Sequence, residues 1–367
     1  METLAQQLTR QTRESELYRP LDSNRVECFA CGHRCPIGPG FAGVCKVRFN
    51  RDGKLYAPYG YVNSVYSDPI EKKPFFHALP GSQALSFGML GCDLHCGYCQ
   101  NWVSSQALRD FRSTLDFQTV APEDLVKLAL RQHATSMVST YNEPLITAEW
   151  AVAVFQEAKA AGLTTGFVSN GNATPEVLEY IRPWVDLYKV DLKSFSDRRY
   201  HELGGRIGPI LDSIRRIHAL GFWLEIVTLV IAEFNDSDRE LGDIAEFLAG
   251  ISVDIPWHVT AFHKDYKMTG PENTPAATLM RAARIGQAAG LRYVYAGNLS
   301  GETAGMENTR CPSCRTVVIE RRGFRVLRNR LADGGRCPDC GTAIPGVWGG
   351  PPRQRQENAD LVHIRCG

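Results

Sequence analysis

The chain has 367 residues, 44% of them hydrophobic and 22% charged, with a formal net charge of +1. That balance suits a large globular domain with one or two smaller ones and gives no electrostatic grounds for binding nucleic acid or a membrane. No apolar run is long enough to span a bilayer, and Met1–Arg10 lacks the hydrophobic segment of a signal peptide, so a cytoplasmic protein is expected. Of twelve cysteines, eleven fall in three tight groups. In a chain of this size such grouping favours metal binding over disulfides.

Residues 1–24 are polar and read as a short helix with frayed ends. Cys28, Cys31, Cys35 and Cys45 follow, separated by glycines that permit tight turns. Four ligands make a closed site. Structural zinc is its simplest occupant and an auxiliary [4Fe–4S] cluster the competitor, with His33 able to replace one cysteine in either case. Residues 46–83 look like short strands and loops, and within them Asp68-Pro-Ile-Glu-Lys-Lys-Pro74 reads as a solvated connector. The alternative is a cover over a catalytic face.

The second group is Cys92, Cys96 and Cys99, spaced C-x3-C-x2-C directly after the apolar run 84–90. Three thiolates on one loop can hold three corners of a metal cluster and leave the fourth without a protein ligand. A closed structural site would want four. A zinc site completed by His95 or a remote residue, or a trio of structural thiols, is the bland alternative.

From Ala84 the pattern alternates. Strand-length apolar runs at 84–90, 136–141, 164–169, 185–191, 222–231 and 255–262 enclose segments of helical spacing at 122–133, 147–161, 174–182, 209–220 and 237–249, with 275–289 after the last. Repeated βα units imply a parallel sheet with helices packed outside it, and six are too few for a closed eight-stranded barrel. Polar groups gather at the strand ends: Tyr141-Asn142-Glu143, Ser169-Asn170-Gly-Asn172, Asp191-Leu-Lys193 and His263-Lys264-Asp265. The run from Phe222 to Val230 reads as a buried strand in which Glu225 could face either way.

Residues 293–298 read as a last edge strand. Beyond a Gly/Glu-rich link come Cys311-Pro-Ser-Cys314 and Cys337-Pro-Asp-Cys340, two C-P-x-C knuckles that form a zinc-ribbon or rubredoxin-like pattern for a tetrahedral four-sulfur site. Zinc is expected there because a stabilising role needs no redox activity, whereas iron would suggest an electron relay. The tail from Gly349 reads as a flexible or docking segment, with Cys366 a terminal thiol. The expected organisation is thus a four-cysteine metal-binding segment over 1–60, a catalytic core over 61–300, a metal ribbon over 305–348 and a tail over 349–367.

The cysteine loop, with Tyr98 before its last cysteine, resembles the signature of radical S-adenosylmethionine enzymes. The resemblance implies an α/β fold, an open (β/α)6 partial TIM barrel, and a [4Fe–4S] cluster on Cys92, Cys96 and Cys99 whose fourth iron binds S-adenosylmethionine. It further implies cofactor contacts from Glu143 (beside Asn142, where many relatives carry Gly-Gly-Glu), Asn170, Asp191, Lys193 and His263, with Tyr98 against the adenine. Asp68–Pro74, Cys99-Gln-Asn-Trp102, Thr140–Pro144, Phe262–Met268 and Glu307–Cys314 together resemble the AmmeMemoRadiSam-system enzymes of the pyruvate formate-lyase activating-enzyme-like family. That likeness implies a flavodoxin or ferredoxin as electron donor and partnership with a Memo-like protein and an AMME-syndrome-related protein. A hydrogen-abstracting oxidoreductase acting on a protein, peptide or small molecule is the leading expectation. A glycyl-radical-enzyme activase proper and a non-catalytic zinc scaffold are the alternatives.

Overall fold

The computed structural model describes residues 4–110, 117–303, 305–349 and 362–363; the rest of the expected tail, Cys366 included, lies outside the described residues. Its central sheet consists of β1 (Ser64–Pro69), β2 (Gln83–Gly88), β3 (Ser136–Ser139), β4 (Thr164–Ser169), β5 (Leu187–Asp191), β6 (Trp223–Val230), β7 (Trp257–Ala261) and β8 (Val294–Gly297). From β2 to β8 each strand pairs parallel with the next, and the ends of the series do not pair. Strand β1 runs antiparallel along β2, and Val362–His363 pair antiparallel with β1.

Between the strands lie α1 (Pro122–Arg131), α2 (Ala148–Ala160), α3 (Pro175–Ile181), α4 (Ile207–Ala219) and α5 (Asp238–Ile251), and α6 (Ala276–Ala288) precedes β8. Pro122 occupies the first turn of α1, where its missing N–H costs nothing. Thr174 caps α3 by accepting from the Val177 amide at 3.2 Å, and Ser237 caps α5 through the Glu240 amide at the same distance. The helices bury their apolar stripes on one face of the sheet, where Phe155 of α2 meets Phe87 and Phe167 with ring centroids 5.8 Å apart.

The opposite face is filled by a segment whose charges suggested a solvated connector. Residues 70–78 pack there instead, with Ile70, Phe75 and Ala78 on Ala84, Val138 and Leu187, near the N-terminal ends of the strands. The charges tolerate burial because each is paired. Lys73 Nζ donates to Asp68 Oδ2 and to the Tyr141 hydroxyl, both at 2.7 Å, and Lys72 takes Asp68 Oδ1 at 2.9 Å. Glu71 receives the Gly81 amide at 2.9 Å and faces Arg321 of the C-terminal module at 3.5 Å.

Glu225 settles onto this inner face, fully buried. Its carboxylate accepts the Phe76 amide at 3.0 Å, the His77 amide at 2.9 Å, Trp223 Nε1 at 3.0 Å and His258 Nε2 at 2.7 Å. The C-terminal module is a three-stranded antiparallel sheet (309–310, 317–322, 325–329) whose Val318, Ile319 and Ile344 pack on Phe76, Tyr293 and Tyr295. A directional chain of hydrogen bonds links it to the inner face. Arg321 donates to Thr309 at 2.8 Å, Thr309 to Tyr295 at 2.9 Å, Tyr295 to His77 Nε2 at 2.6 Å, and His77 Nδ1 to the Pro345 carbonyl at 2.7 Å. Because the carbonyl can only accept, His77 carries its proton on Nδ1.

The N-terminal module departs from expectation. Among the described residues its helix covers Leu4–Arg10, and Thr12–Glu14 and Tyr18–Pro20 are strands in two small three-stranded sheets. Short alternating segments pair across the module rather than extend the helix. The module docks at the C-terminal strand ends. There the Gly32 amide donates to the Asn172 carbonyl at 2.8 Å, and a Cβ on Gly32 would fall 2.2 Å from Asn172 Oδ1.

Candidate active site

The three cysteines sit where β2 leaves the sheet, on the open side opposite the buried plug of residues 70–78. Gly91 starts the loop with φ +97, a conformation glycine adopts without a Cβ penalty. Cys96 is 6% exposed and packs with Leu94, Tyr98, Leu203, Ile231 and Phe262, with Cys92, Cys99 and Met268 at the margin of the same cluster. Polar contacts already reach the sulfurs. The Leu94 amide points at Cys92 Sγ at 3.4 Å, and Ser105 Oγ lies 3.2 Å from Cys99 Sγ. Burial pushes all three thiols up, Cys96 to about 11, and Lys193 opposes that rise at Cys96 and Cys99. Such thiols ionise when a metal takes the charge.

His95, the candidate fourth ligand, turns away from the cysteines. Its ring packs against Gly204, where an added Cβ would fall 2.1 Å from Cε1. The segment after β7 closes over the loop from the other side. Lys267 donates its amide to the Gly97 carbonyl at 2.9 Å, and Tyr266 stacks on Trp102 with centroids 5.0 Å apart.

The strand-end residues divide by what they touch. Asn170 donates to Asp93 Oδ1 at 2.7 Å, with its Nδ2 3.9 Å from Cys92 Sγ. Glu143 accepts from Ser169 Oγ at 2.7 Å, the Asn170 amide at 2.8 Å and the Leu145 amide at 3.1 Å. Burial first, and then the nearby Asp93, raise its carboxyl well above the ordinary range. Asn142 spends its amide on the Met89 N–H at 3.0 Å and the Glu143 carbonyl at 3.1 Å, bracing the turn. Asp191 pairs with Lys189 and, at 3.6 Å, with Lys193. Burial works against its ionisation, but the two ammonium groups outweigh it and hold the carboxyl low. Tyr98 is buried edge-on to Phe234 at 5.7 Å, and His263 is exposed, its Nε2 2.8 Å from Gln100 Nε2.

The glycines of the Gly-Gly-Glu pattern are absent, yet Tyr141 adopts the conformation one of them would supply, with φ +71. Room for that turn comes from Gly88, where a Cβ would stand 2.6 Å from the Thr140 carbonyl and 2.9 Å from Tyr141 Cβ. Gly88→Ala is therefore expected to cost about 1–3 kcal/mol by overpacking, read as a lower denaturant midpoint at unchanged slope.

Two side chains at this site were missed in the sequence. Asp93, inside the C-x3-C interval, is 1% exposed and binds Asn170, Asn172 at 2.8 Å, and His33, whose Nδ1 is 3.6 Å from Asp93 Oδ2. Burial works against its charge, but His33 and the two asparagines keep its carboxyl below the ordinary value. Lys189 lies two positions before Asp191, the period that puts both on one strand face.

Among the described residues, two groups of potential ligands converge within 4.8 Å: Cys311, Cys314, Cys337 and Cys340, and Cys31, His33 and Asp93. No helix among them is long and apolar enough to cross a membrane.

Comparison with known proteins supplies independent findings. The sequence model of the Radical SAM superfamily matches residues 88–248. The uncharacterized protein MJ0808 of Methanocaldococcus jannaschii is 35% identical over 335 residues, covering 90% of this chain and 98% of that protein. The benzylsuccinate synthase activating enzyme of Thauera aromatica is 28% identical over 138 residues, 33% of this chain and 41% of that enzyme. The isethionate sulfite-lyase activating enzyme of Oleidesulfovibrio alaskensis is 25% identical over 173 residues, 44% of this chain and 55% of that enzyme.

Proposed function

We propose, for a chain that belongs to the radical SAM superfamily, that it cleaves S-adenosylmethionine reductively at a [4Fe–4S] cluster on Cys92, Cys96 and Cys99. The observation that carries this reading is a buried three-thiol loop at the C-terminal strand ends, with His95 turned away from the position a fourth ligand would fill. When bound, the cluster supplies the electron that splits the sulfonium into methionine and a 5′-deoxyadenosyl radical. This chain's own residues bind and orient the cofactor.

In this reading Lys193, paired with Asp191, offers a cation beside the cysteine loop for the cofactor's carboxylate. Glu143 offers a carboxylate for its amino group, and Asn170 anchors the loop through Asp93. Tyr98, Asn142 and His263 complete the proposed cofactor surroundings, Asn142 by holding the turn that presents Glu143. The open sheet is taken as the (β/α)6 partial barrel of the superfamily, in a cytoplasmic enzyme. Because residues 70–78 and the C-terminal module fill the N-terminal strand ends, the hydrogen donor enters from the C-terminal ends. A protein, peptide or small molecule can do so. A low-potential flavodoxin or ferredoxin is the proposed reductant, and Memo-like and AMME-syndrome-related proteins are the proposed partners.

A second reading, a glycyl-radical-enzyme activase proper, is favoured by the match to the two activating enzymes. The deciding experiment is anaerobic reconstitution with iron, sulfide, reductant and S-adenosylmethionine. Formation of 5′-deoxyadenosine is expected, and a loaded cluster that forms none overturns the proposal.

A further inference from the structure

The two cysteine quartets of this chain are built to different dimensions. At the C-terminal ribbon Cys311 and Cys340 lie 3.5 Å apart and Cys314 and Cys337 3.6 Å apart, sulfur to sulfur. A tetrahedral ion with metal–sulfur bonds near 2.3 Å separates its sulfurs by about 3.8 Å, so this quartet is set for a single tetrahedral ion, taken here as zinc, and not for a cluster.

The N-terminal thiols also lie near one another, with Cys28 within electrostatic reach of Cys31, Cys35 and Cys45. Yet these four do not converge as a set within 4.8 Å. The wider spacing does not come from a slack loop. The Cys28 amide donates to the Cys35 carbonyl at 3.1 Å, and Gly32 is clamped to Asn172. Arg48, whose Nη1 lies 3.8 Å from Cys28 Sγ, is locked in a buried ion pair with Glu149. An iron–sulfur cubane interposes its irons and sulfides between the thiolates and so requires the larger separation.

Cys31 also leads toward the catalytic loop. Its sulfur is 3.6 Å from His33 Nδ1, which is 3.6 Å from Asp93, the neighbour of Cys92 in the chain. We propose that Cys28, Cys31, Cys35 and Cys45 hold a second iron–sulfur cluster, not zinc, and that it passes electrons across His33 and Asp93 to the cluster on Cys92, Cys96 and Cys99. A low-potential one-electron carrier reduces the second cluster by one electron. Transfer reoxidises that cluster and reduces the catalytic one, with no bond or proton changing hands. The relay rests on the catalytic reading of Cys92, Cys96 and Cys99; the identity of the N-terminal occupant does not.

The test is metal and sulfide analysis of the full chain, reconstituted anaerobically with cysteines 92, 96 and 99 replaced by alanine. About four iron and four acid-labile sulfide per chain, beside one zinc, are expected to remain. A second zinc in place of the iron, or a single iron without sulfide, overturns the proposal, and the same analysis of wild type shows whether the variant failed through misfolding. In reduced wild type, two electron paramagnetic resonance signals are expected, of which S-adenosylmethionine shifts one. A single signal that shifts entirely overturns the second cluster. Cys35→Ala/Cys45→Ala should lose the unshifted signal and about half the iron. It should keep 5′-deoxyadenosine formation under dithionite and lose it under reduced flavodoxin. Equal flavodoxin-driven rates with and without the second cluster overturn the relay. Failure of the catalytic reading is seen separately, as no 5′-deoxyadenosine under dithionite in wild type.

Discussion

Cys96→Ala should reduce 5′-deoxyadenosine formation to the uncatalysed background while leaving the chain folded. The sulfur is enclosed by Leu94, Tyr98, Leu203 and Phe262, so alanine removes a small apolar group from a packed cluster. That change is modest for stability, on the order of 1 kcal/mol. For the proposed cofactor it removes one of three anchors at a site with no spare thiol, His95 being turned toward Gly204. Unchanged far-ultraviolet circular dichroism together with unchanged product formation would show that the loop is structural. Cys314→Ala, on the exposed rim of the ribbon, serves as the contrast, losing zinc while keeping S-adenosylmethionine cleavage.

The second large effect lies at the other end of the strands. Glu225→Ala should destabilise the protein by about 3–5 kcal/mol, the range for removing one partner of a buried pair. A drop in Tm of about 4–6 °C follows for a chain of this size. One carboxylate satisfies two backbone amides, the Trp223 indole and His258, and its loss leaves the buried Phe76 and His77 amides and His258 without their acceptor. Glu225→Gln keeps the shape and an acceptor and should cost distinctly less. An equal loss from both variants would mean that packing alone seats Phe76 and His77.

The pH dependence has a defined sign. Burial works against Glu225 ionising, but His258, His77 and Trp223 hold its pKa below the ordinary value, so its contribution is present above the unfolded carboxylate pKa and is lost on acidification. Burial lowers His77 to about 4. The unfolded chain therefore binds the extra proton between its ordinary pKa near 6.5 and that value, and stability falls with pH across the same window. Both groups predict acid-labile seating of residues 70–78.

Much of this arrangement could be read from sequence because it is local. Each predicted helix from α1 to α6 falls within two residues of its expected span at either end, since apolar period and capping residues mark it. The cysteine loop and the ribbon knuckles show themselves by spacing alone. What stayed hidden depends on partners far along the chain. Asp68–Pro74 looked solvated because two of the partners that let it be buried, the Tyr141 hydroxyl for Lys73 and Arg321 for Glu71, are remote in sequence. Glu225 had no readable direction because both faces of a buried parallel strand are apolar around it. Asp93 was overlooked between two cysteines, as its partners Asn170, Asn172 and His33 are brought to it from distant segments. The N-terminal strands were missed because runs of three residues carry too little periodicity to separate strand from frayed helix.

The hydrogen-bond chain from Arg321 to His77 also bears on the order of folding. Arg321 and Phe76 are 245 residues apart, and His77 and Pro345 are 268 apart. Contacts of such separation slow folding, because the chain entropy lost in closing so long a loop precedes the gain. During synthesis, residues 70–78 and Glu225 emerge well before the ribbon that completes their polar network. The inner face therefore stays provisional until the ribbon has left the ribosome, and the cysteine loop above it acquires a finished floor only then.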